Sequence, residues 1–202
     1  MSGAEWPADS DATTRPVPAL NIRTPHLELR AASARLIQAA LAGPERLRVE
    51  LDAHVPATWP HEFLDTAALR FFLSRLSPDE SAAGWWLRFV LRRGRTGRRA
   101  LIGSGGYKGP PGADGVLELG YGIVEDQRCL GYATEATQGL VDEGFALEGV
   151  SRIVAHTLPE GTASIRVLVK NGFVRSADPA PAGTLRFELT RARFVAQGPR
   201  RH

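Results

Sequence analysis

The sequence predicts one α/β domain whose central sheet contains both antiparallel and parallel strands. Two strand-like segments, 85–91 and 100–108, flank an arginine-rich turn, which is typical of an antiparallel hairpin. Strand, helix and strand patterns then follow one another over 116–158, and this order predicts a right-handed parallel crossover. At 202 residues, with 43% hydrophobic and 23% charged residues, the chain has the size and composition of one globular domain.

Composition limits the compartment and the partners. A single cysteine excludes an intrachain disulfide framework and a cysteine-rich metal site. No apolar run reaches the ~20 residues of a membrane span, and the N-terminus lacks the pattern of a secretory signal. We therefore expect a cytoplasmic protein with no membrane partner and no metal. Residues 1–19 and 198–202 are expected to be disordered tails around a single folded domain, 20–197.

The first third of the domain is predicted to be one strand followed by helices. Alternating leucines favour a half-buried strand over 20–30. Ser33 and Asp65 are expected to cap two helices, with a short helix over 45–53 between them. The glycine-rich run at 103–109 is followed by prolines rather than a helix, so a strand with close backbone approach is predicted instead of a phosphate loop.

The strand at 116–124 has two unlike faces. One is apolar and is expected to face the core. The other carries Glu118 and then Gly120 and Gly122, and the missing side chains predict the floor of a cleft in which a ligand lies against the backbone. Glu118 is a candidate catalytic carboxylate at the edge of that floor, and the alternative is a solvated strand charge. Burial beside the cleft is expected to raise its pKa.

The turn after this strand predicts an anion site. The first turn of a helix has about four unpaired N–H groups and a partial positive charge. Gly131 lets a ligand approach the backbone, Ala133 is small, and Arg128 adds a planar cation. A plain tight connection is the alternative.

The following helix is expected to bury one stripe and to expose the other face. The stripe comprises Ala133, Ala136, Leu140, Gly144 and Leu147, and the exposed face comprises Glu135, Gln138, Asp142 and Glu143.

A further strand, a helix and a last strand complete the predicted domain. A strand over 152–158 precedes a helix with Ile165, Leu168 and Val169 inward. Gly172 is predicted to end that helix, with Phe173 packing back on its last turn. A final strand is predicted over 185–190.

Residues 117–173 resemble the acetyl-CoA core of the GNAT superfamily of N-acetyltransferases, in particular the branch of ribosomal-protein N-terminal alanine and serine acetyltransferases. Four motifs carry the resemblance: Glu-x-Gly-Tyr at 118–121, Gln/Arg-x-x-Gly-x-Ala up to 133, Thr-Ala-Ser-Ile-Arg-Val-Leu at 162–168, and Gly172 with Phe173. The resemblance implies a mixed, mostly antiparallel sheet of about six to seven strands flanked by helices, with a parallel pair splayed at the cofactor cleft.

The resemblance also implies a site for acetyl-CoA as co-substrate. Its pyrophosphate would meet the backbone of Arg128, Cys129, Leu130, Gly131, Tyr132, Ala133 and Thr134, and its pantetheine would pair with Ile123 and Val124. Glu118 matches a carboxylate that takes the proton of the amine acceptor, directly or through water. Ser164 matches a hydroxyl near the CoA sulfur, and no covalent enzyme intermediate is needed, so Cys129 is expected to be a spectator.

The chain departs from this pattern at two positions. Gly161 stands where the family has an asparagine that contacts CoA, so weaker cofactor binding or a helix cap by Thr162 is expected; both residues are counted in the cofactor site. Leu168 stands where some branches have a tyrosine acid, which favours Ser164 or a water as proton donor. His156 is a reserve candidate for acid–base chemistry, with a structural role as the alternative.

Two rival functions remain open. Arg92, Arg93, Arg95, Arg98 and Arg99 follow Trp85, Trp86 and Phe89, a pattern that suits an RNA surface, a solvated hairpin turn, or a loop that steers a ribosome-bound substrate. A non-catalytic acetyl-CoA-binding module is the second rival, for which Gly161 is the argument. The acceptor, a protein N-terminus or a small-molecule amine, is not specified by the sequence, nor is the choice between monomer and homodimer.

Overall fold

The structure is a computed structural model that describes residues 17–76, 80–94 and 97–198. Within these residues, eight strands form the sheet: β1 Asn21–Arg23, β2 Leu27–Ala31, β3 Leu87–Arg93, β4 Arg99–Tyr107, β5 Val116–Ile123, β6 Arg152–Thr157, β7 Val174–Arg175 and β8 Leu185–Thr190. The helices are α1 Ala34–Ala42, α2 Pro44–Leu51, α3 Thr66–Leu76, α4 Tyr132–Ala146, α5 Thr162–Lys170 and α6 Arg191–Ala196. Most of the two predicted tails, the stop predicted after Leu76, and Arg95 lie outside the described residues.

The strand order is β1-β2-β3-β4-β5-β6-β8-β7, and every neighbouring pair is antiparallel except β5 with β6. The mixed, mostly antiparallel sheet with one parallel pair is therefore confirmed. Eight strands are present where six to seven were expected, because two short edge strands, β1 and β7, extend the sheet.

The single strand predicted over 20–30 was wrong. Two antiparallel strands, β1 and β2, occupy this segment, and Asn21 pairs with Arg30. The chain turns at Thr24 and Pro25, where the Thr24 hydroxyl accepts from the Leu27 N–H at 3.1 Å and so closes the turn. The β3 strand likewise begins at Leu87 rather than at residue 85, because residues 80–85 form a 3-10 helix.

Two hydrophobic cores lie on opposite faces of the sheet. Helices α1, α2 and α3 cover one face, and α4 and α5 cover the other. Both predicted caps are confirmed: Ser33 accepts from the Leu36 N–H at 3.3 Å, and Asp65 accepts from the Ala68 N–H at 2.7 Å. Each helix therefore starts where a short polar side chain satisfies its first amides.

The polar face of α4 is more buried than the sequence predicted. Gln138 is buried, Glu143 pairs with the fully buried Arg88 at 2.9 Å, and Glu135 accepts hydrogen bonds from Thr24 and His26. The β1–β2 hairpin covers this side of the helix, which an amphipathic pattern alone does not reveal. Asp142 remains exposed as expected.

The C-terminal helix and strand follow the prediction except at Val169, which was expected to face inward and is 56% exposed. Gly172 adopts a left-handed φ of 81°, and the Phe173 N–H donates to the Leu168 carbonyl at 3.1 Å, as in a Schellman end. The last strand occupies Leu185–Thr190, the range expected. Strand β7 and helix α6 were not predicted.

Candidate active site

The parallel strands β5 and β6 pair over three residues and then diverge. Val116, Leu117 and Glu118 pair with Arg152, Ile153 and Val154, and no further pairs between these strands occur in the described residues. Beyond Glu118 a gap opens in the middle of the sheet. This gap is the splayed pair that was expected at a cofactor cleft.

Alternation along β5 decides which backbone groups face the gap. The Lys108 N–H donates to the Glu118 carbonyl and the Val124 N–H donates to the Ile102 carbonyl, so the even-numbered residues of β5 bond toward β4. The odd-numbered residues Leu119, Tyr121 and Ile123 therefore direct their backbone toward the gap.

The two residues predicted to pair with pantetheine, Ile123 and Val124, differ in which backbone groups remain without a partner in the protein. Ile123 keeps its N–H toward the gap, while its carbonyl accepts from Arg128 Nε at 3.0 Å. Val124 has its N–H engaged with the Ile102 carbonyl at 2.9 Å, and its carbonyl accepts from the Gln127 N–H at 3.0 Å, so both of its backbone groups already have partners within the protein.

The turn between β5 and α4 leaves a row of unpaired amides. Within the described part of the chain, the N–H groups of residues 129–134 donate no hydrogen bond to the protein, and the first helical N–H that does is that of Glu135, to the Gly131 carbonyl at 3.0 Å. Gly131 caps α4 with φ 87°, and no side chain fills the cap. Residues 128–131 are exposed. These features form a row of exposed donors at a helix N-terminus, which suits a phosphate group.

Arg128 connects this turn to the loop that precedes α3. Its Nε donates to the Ile123 carbonyl, and its Nη2 pairs with Glu62 at 3.2 Å. A second link joins the same two segments, because the Thr58 hydroxyl donates to Asp126 at 2.8 Å. Two side-chain contacts therefore join the turn between β5 and α4 to the loop over 54–64.

Glu118 lies in a cluster of three ionisable side chains beside the gap. Lys108 Nζ is 2.5 Å from its Oε1, and His156 Nδ1 is 2.9 Å from the same oxygen. Burial raises the pKa of Glu118, but the hydrogen bonds from Lys108 and His156 outweigh it and the pKa is lowered. The expectation of a raised pKa was therefore wrong, because burial was weighed without the two donors.

The glycine floor of the predicted cleft is open at one glycine only. A Cβ built on Gly120 meets nothing within 4 Å, so this part of the floor is free. At Gly122 the His61 imidazole lies where a side chain would be, with Cε1 2.4 Å from the ideal Cβ position. The groove predicted over both glycines is therefore shorter, because a side chain from the 54–64 loop fills its far end.

His61 is held firmly in that position. Its Nε2 is 2.6 Å from the Ser104 hydroxyl, and its Nδ1 accepts from the Phe63 N–H at 3.3 Å. The second bond requires an unprotonated Nδ1, so Nε2 carries the proton. Burial is the main reason that the pKa of His61 falls to about 4, and the ring is neutral at neutral pH.

Ser164 lies on the α5 side of the gap next to Tyr121. The Tyr121 hydroxyl donates to the Ser164 carbonyl at 3.2 Å, and the two hydroxyl oxygens are 3.5 Å apart. Burial raises the pKa of Tyr121 to about 12, so the phenol stays protonated. Two hydroxyl groups are therefore together at the position predicted for a thiolate partner.

The N-terminus of α5 differs from the expected cap. Gly161 is the N-cap residue and no side chain caps the helix, so Thr162, the first helical residue, does not act as the cap. A Cβ at Gly161 would lie 2.7 Å from Thr157 Oγ1 and 3.0 Å from the Leu158 carbonyl oxygen. The local packing therefore suits glycine at this position. Leu168 is buried in the core beneath the helix.

The arginine-rich turn is partly occupied by contacts within the protein. Arg99 pairs with Asp52 at 2.7 Å, and Arg93 donates to the Thr24 and Pro25 carbonyls. The aromatic residues before it face the cores: Phe89 is fully buried, and Trp85 and Trp86 are partly buried. This arrangement favours the hairpin-turn interpretation over an RNA surface.

Three residues of the site were missed by sequence reasoning. Lys108 was detectable to within one position, because counting outward from the turn predicted at 110–115 places it opposite Leu117, next to Glu118. His61 and Tyr121 gave no signal as site residues: His61 reaches Gly122 from a loop 61 positions away, and Tyr121 read as an ordinary core residue. Among the described residues, no group of histidine, cysteine and carboxylate side chains could hold a metal ion, and no helix could cross a membrane.

A family model described as the acetyltransferase (GNAT) domain matches residues 26–174, which is most of the chain. The chain is similar to YjdG of Bacillus subtilis (strain 168), named as an uncharacterized N-acetyltransferase, with 26% identity over 154 residues that span 76% of this chain and 89% of YjdG.

Solved structures show the same fold at lower identity. The ribosomal-protein-S5-alanine acetyltransferase from Vibrio fischeri superposes with a TM-score of 0.59 and 17% identity, covering 85% of this chain and 97% of that one. RimJ from Mycobacterium smegmatis, solved in complex with CoA-disulfide, gives a TM-score of 0.57 and 21% identity, covering 88% and 93%.

Proposed function

The chain belongs to the GNAT acetyltransferase family and is an N-acetyltransferase; from this premise we propose that it transfers the acetyl group of acetyl-CoA to a primary amine by direct attack. The observation that carries the proposal is the row of unpaired amides at residues 129–134, placed beside the gap between β5 and β6. A diphosphate on those amides leaves the rest of the donor to run along the open edge of β5. The CoA-bound relative RimJ supports the same choice of donor.

The groups proposed to contact acetyl-CoA are backbone groups of the turn and of β5, together with the Arg128 side chain. The amides of Cys129, Leu130, Gly131, Tyr132, Ala133 and Thr134 would hold the pyrophosphate, and the Arg128 guanidinium would exchange Glu62 for a phosphate oxygen. The backbone of Tyr121 and Ile123 would pair with the pantetheine amides as an added strand does. Gly161 and Thr162 would border the donor from the start of α5.

Acetyl transfer needs a proton acceptor on one side of the gap and a proton donor on the other. The amine arrives as an ammonium ion and must lose a proton before its nitrogen attacks the thioester carbon. Glu118 lies on the face of Gly120, the free part of the floor, where the amine would enter. Ser164 and Tyr121 lie on the α5 side, where the departing thiolate would accept a hydrogen bond. The amine forms the new C–N bond as the C–S bond breaks.

The acceptor class is proposed to be a primary amine at a protein N-terminus or on a small molecule. The ribosomal-protein acetyltransferase with the same fold supports the first of these.

The test is release of free thiol from acetyl-CoA in the presence of N-terminal peptides and small amines. We expect turnover by the full chain, and Arg128→Ala is expected to weaken acetyl-CoA binding about tenfold, since a charge-assisted hydrogen bond contributes ~1.5 kcal/mol. Arg46→Ala is the matched control, because Arg46 pairs with Glu50 on the surface of α2. Binding without turnover of any amine would favour the non-catalytic module, and the absence of both would refute the proposal.

A further inference from the structure

His156 lies beside the gap and has one ring nitrogen with no hydrogen-bond partner among the described residues. His156 lies on β6 two residues beyond Val154, the last residue paired with β5, so it stands where the strands diverge. Its side chain is 10% exposed, and its Nε2 is buried without a hydrogen-bond partner among the described residues. A buried polar atom without a partner costs ~1–3 kcal/mol, so its presence here calls for an explanation.

The partner of the other ring nitrogen fixes the tautomer. The Glu118 carboxylate can only accept a hydrogen bond when ionised, so His156 Nδ1, 2.9 Å away, carries the proton. In the neutral ring Nε2 then holds a lone pair. Lys108, 2.5 Å from the same carboxylate oxygen, keeps Glu118 ionised and the tautomer in place.

Glu118 is a weaker proton acceptor than an isolated carboxylate. Lys108 and His156 both donate to its Oε1, and these charge-assisted bonds favour the ionised carboxylate, so protonation at either oxygen weakens them. The lone pair on His156 Nε2 has no such competitor.

We propose that His156 is the proton acceptor for the amine, with Glu118 as the positioning residue that fixes its tautomer and Lys108 as the residue that keeps Glu118 charged. This role rests on the proposed acetyl transfer. The ammonium ion gives one proton to Nε2 directly or through one water, and the amine lone pair then forms the C–N bond. The thiolate receives the second nitrogen proton, and His156 releases the first to solvent, so protons and charge balance.

The charges that face the ring come from three elements. Glu118 belongs to β5, Lys108 follows β4, and Arg186 stands opposite His156 in the β6–β8 register. The ion pair of Arg152 with Glu188 lies next along the same two strands. These charged groups all contribute to the electrostatic potential at the His156 ring, so they must be included when a pH dependence is assigned to His156.

The first experiment reads the tautomer without using activity. A long-range proton–nitrogen NMR spectrum of the histidine-labelled full chain should show His156 protonated at Nδ1. His61 is the internal control and should show the opposite tautomer, protonated at Nε2, because Phe63 donates to its Nδ1. An Nε2-protonated His156 would overturn the proposal.

The second experiment measures turnover against pH. His156→Gln should lower kcat about 100-fold, change the KM for acetyl-CoA less than about twofold, and remove the acid limb of the kcat/KM profile. His26→Gln is the matched control, because His26 also bonds a carboxylate, Glu135 at 3.0 Å, but lies between β1 and β2 and is 70% exposed. Thermal unfolding of each variant checks that the fold is retained.

The outcomes separate this role from the function on which it rests. A normal rate and an intact acid limb in His156→Gln, with loss of rate in Glu118→Gln, would transfer the proton-accepting role to Glu118. No thiol release by the unmodified chain would refute the acetyl transfer itself and this role with it, whatever tautomer is seen. Loss of folding in His156→Gln would leave the decision to the tautomer and to the pH profile of Glu118→Gln, which must keep an acid limb for the proposal to stand, because His156 is still present in that variant.

Discussion

The two glycines of β5 should respond in opposite ways to the same substitution. Gly122→Ala places a methyl group 2.4 to 2.8 Å from three ring atoms of His61, so the whole ring must move. Gly120→Ala places the same methyl group in open space, with nothing within 4 Å. Both variants gain the same small stability from placing a side chain in a strand. The difference in stability between them therefore measures the packing cost at Gly122.

The cost at Gly122 follows from what the His61 ring would lose. Overpacking costs ~1–3 kcal/mol, and the hydrogen bond to Ser104 contributes ~1 kcal/mol. Replacing glycine in a strand returns ~0.5 kcal/mol, so we expect a net loss of ~1.5–3.5 kcal/mol. For a chain of this size that corresponds to a fall in Tm of ~3–14 °C. Gly120→Ala should leave Tm within ~2 °C of the unmodified chain, while lowering turnover because it narrows the floor.

Thermal unfolding followed by circular dichroism measures both variants. The decisive control is the double variant His61→Ala with Gly122→Ala, in which the methyl group has room. Its loss of stability should be smaller than the sum of the single losses by ~1 kcal/mol or more. Equal Tm values for the two glycine variants, or strictly additive losses in the double variant, would refute this account of the groove.

Three further outcomes are expected. Cys129→Gly should raise Tm by ~2–4 °C, since Cys129 has a φ of 62° and a left-handed non-glycine residue costs ~1 kcal/mol; an unchanged Tm would contradict this. Gly161→Asn should destabilise the chain, because the new Cβ meets Thr157 Oγ1 at 2.7 Å, and Thr157→Ala should reduce that loss, as denaturant titration of the double variant would show. The pKa of His61 falls from its usual 6.5 to about 4 in the fold, so its neutral form adds stability that is full above pH 6.5 and is lost toward pH 4; this is ~3 kcal/mol in total, and His61→Gln should flatten that part of the stability profile.

Local patterns predicted much of this fold. The caps at Ser33 and Asp65, the glycine end of α5 and the range of the last strand all depend on neighbouring residues, and the structure agrees with each. The β1–β2 turn was missed because the alternation of leucines was weighed above the break at Pro25. The buried face of α4 was missed for a different reason: what covers it comes from a segment more than a hundred positions away.

In the candidate site, too, the features set by neighbouring residues were predictable and those set by distant segments were not. The unpaired amides of the turn follow from strand, turn and helix order, so they were predictable from residues 116–147 alone. The pairing of Glu118 with His156 depends on the parallel register of β5 and β6, and the position of His61 depends on a long loop. Neither the β5–β6 register nor the loop path is specified by spacing, so the contribution of His156 to the lowered pKa of Glu118 was not predictable.

The short pairing of β5 with β6 has a consequence for how the protein behaves when empty. An unsatisfied strand edge in the middle of a sheet attracts other extended chains, as exposed edges do in aggregation. A donor molecule seated there would act as a removable ninth strand that shields this edge. We therefore expect saturating CoA to slow both aggregation and proteolytic nicking near the point where β5 and β6 diverge. A ligand that binds only the native form stabilises that form by ~2.7 kcal/mol at 100 times its Kd.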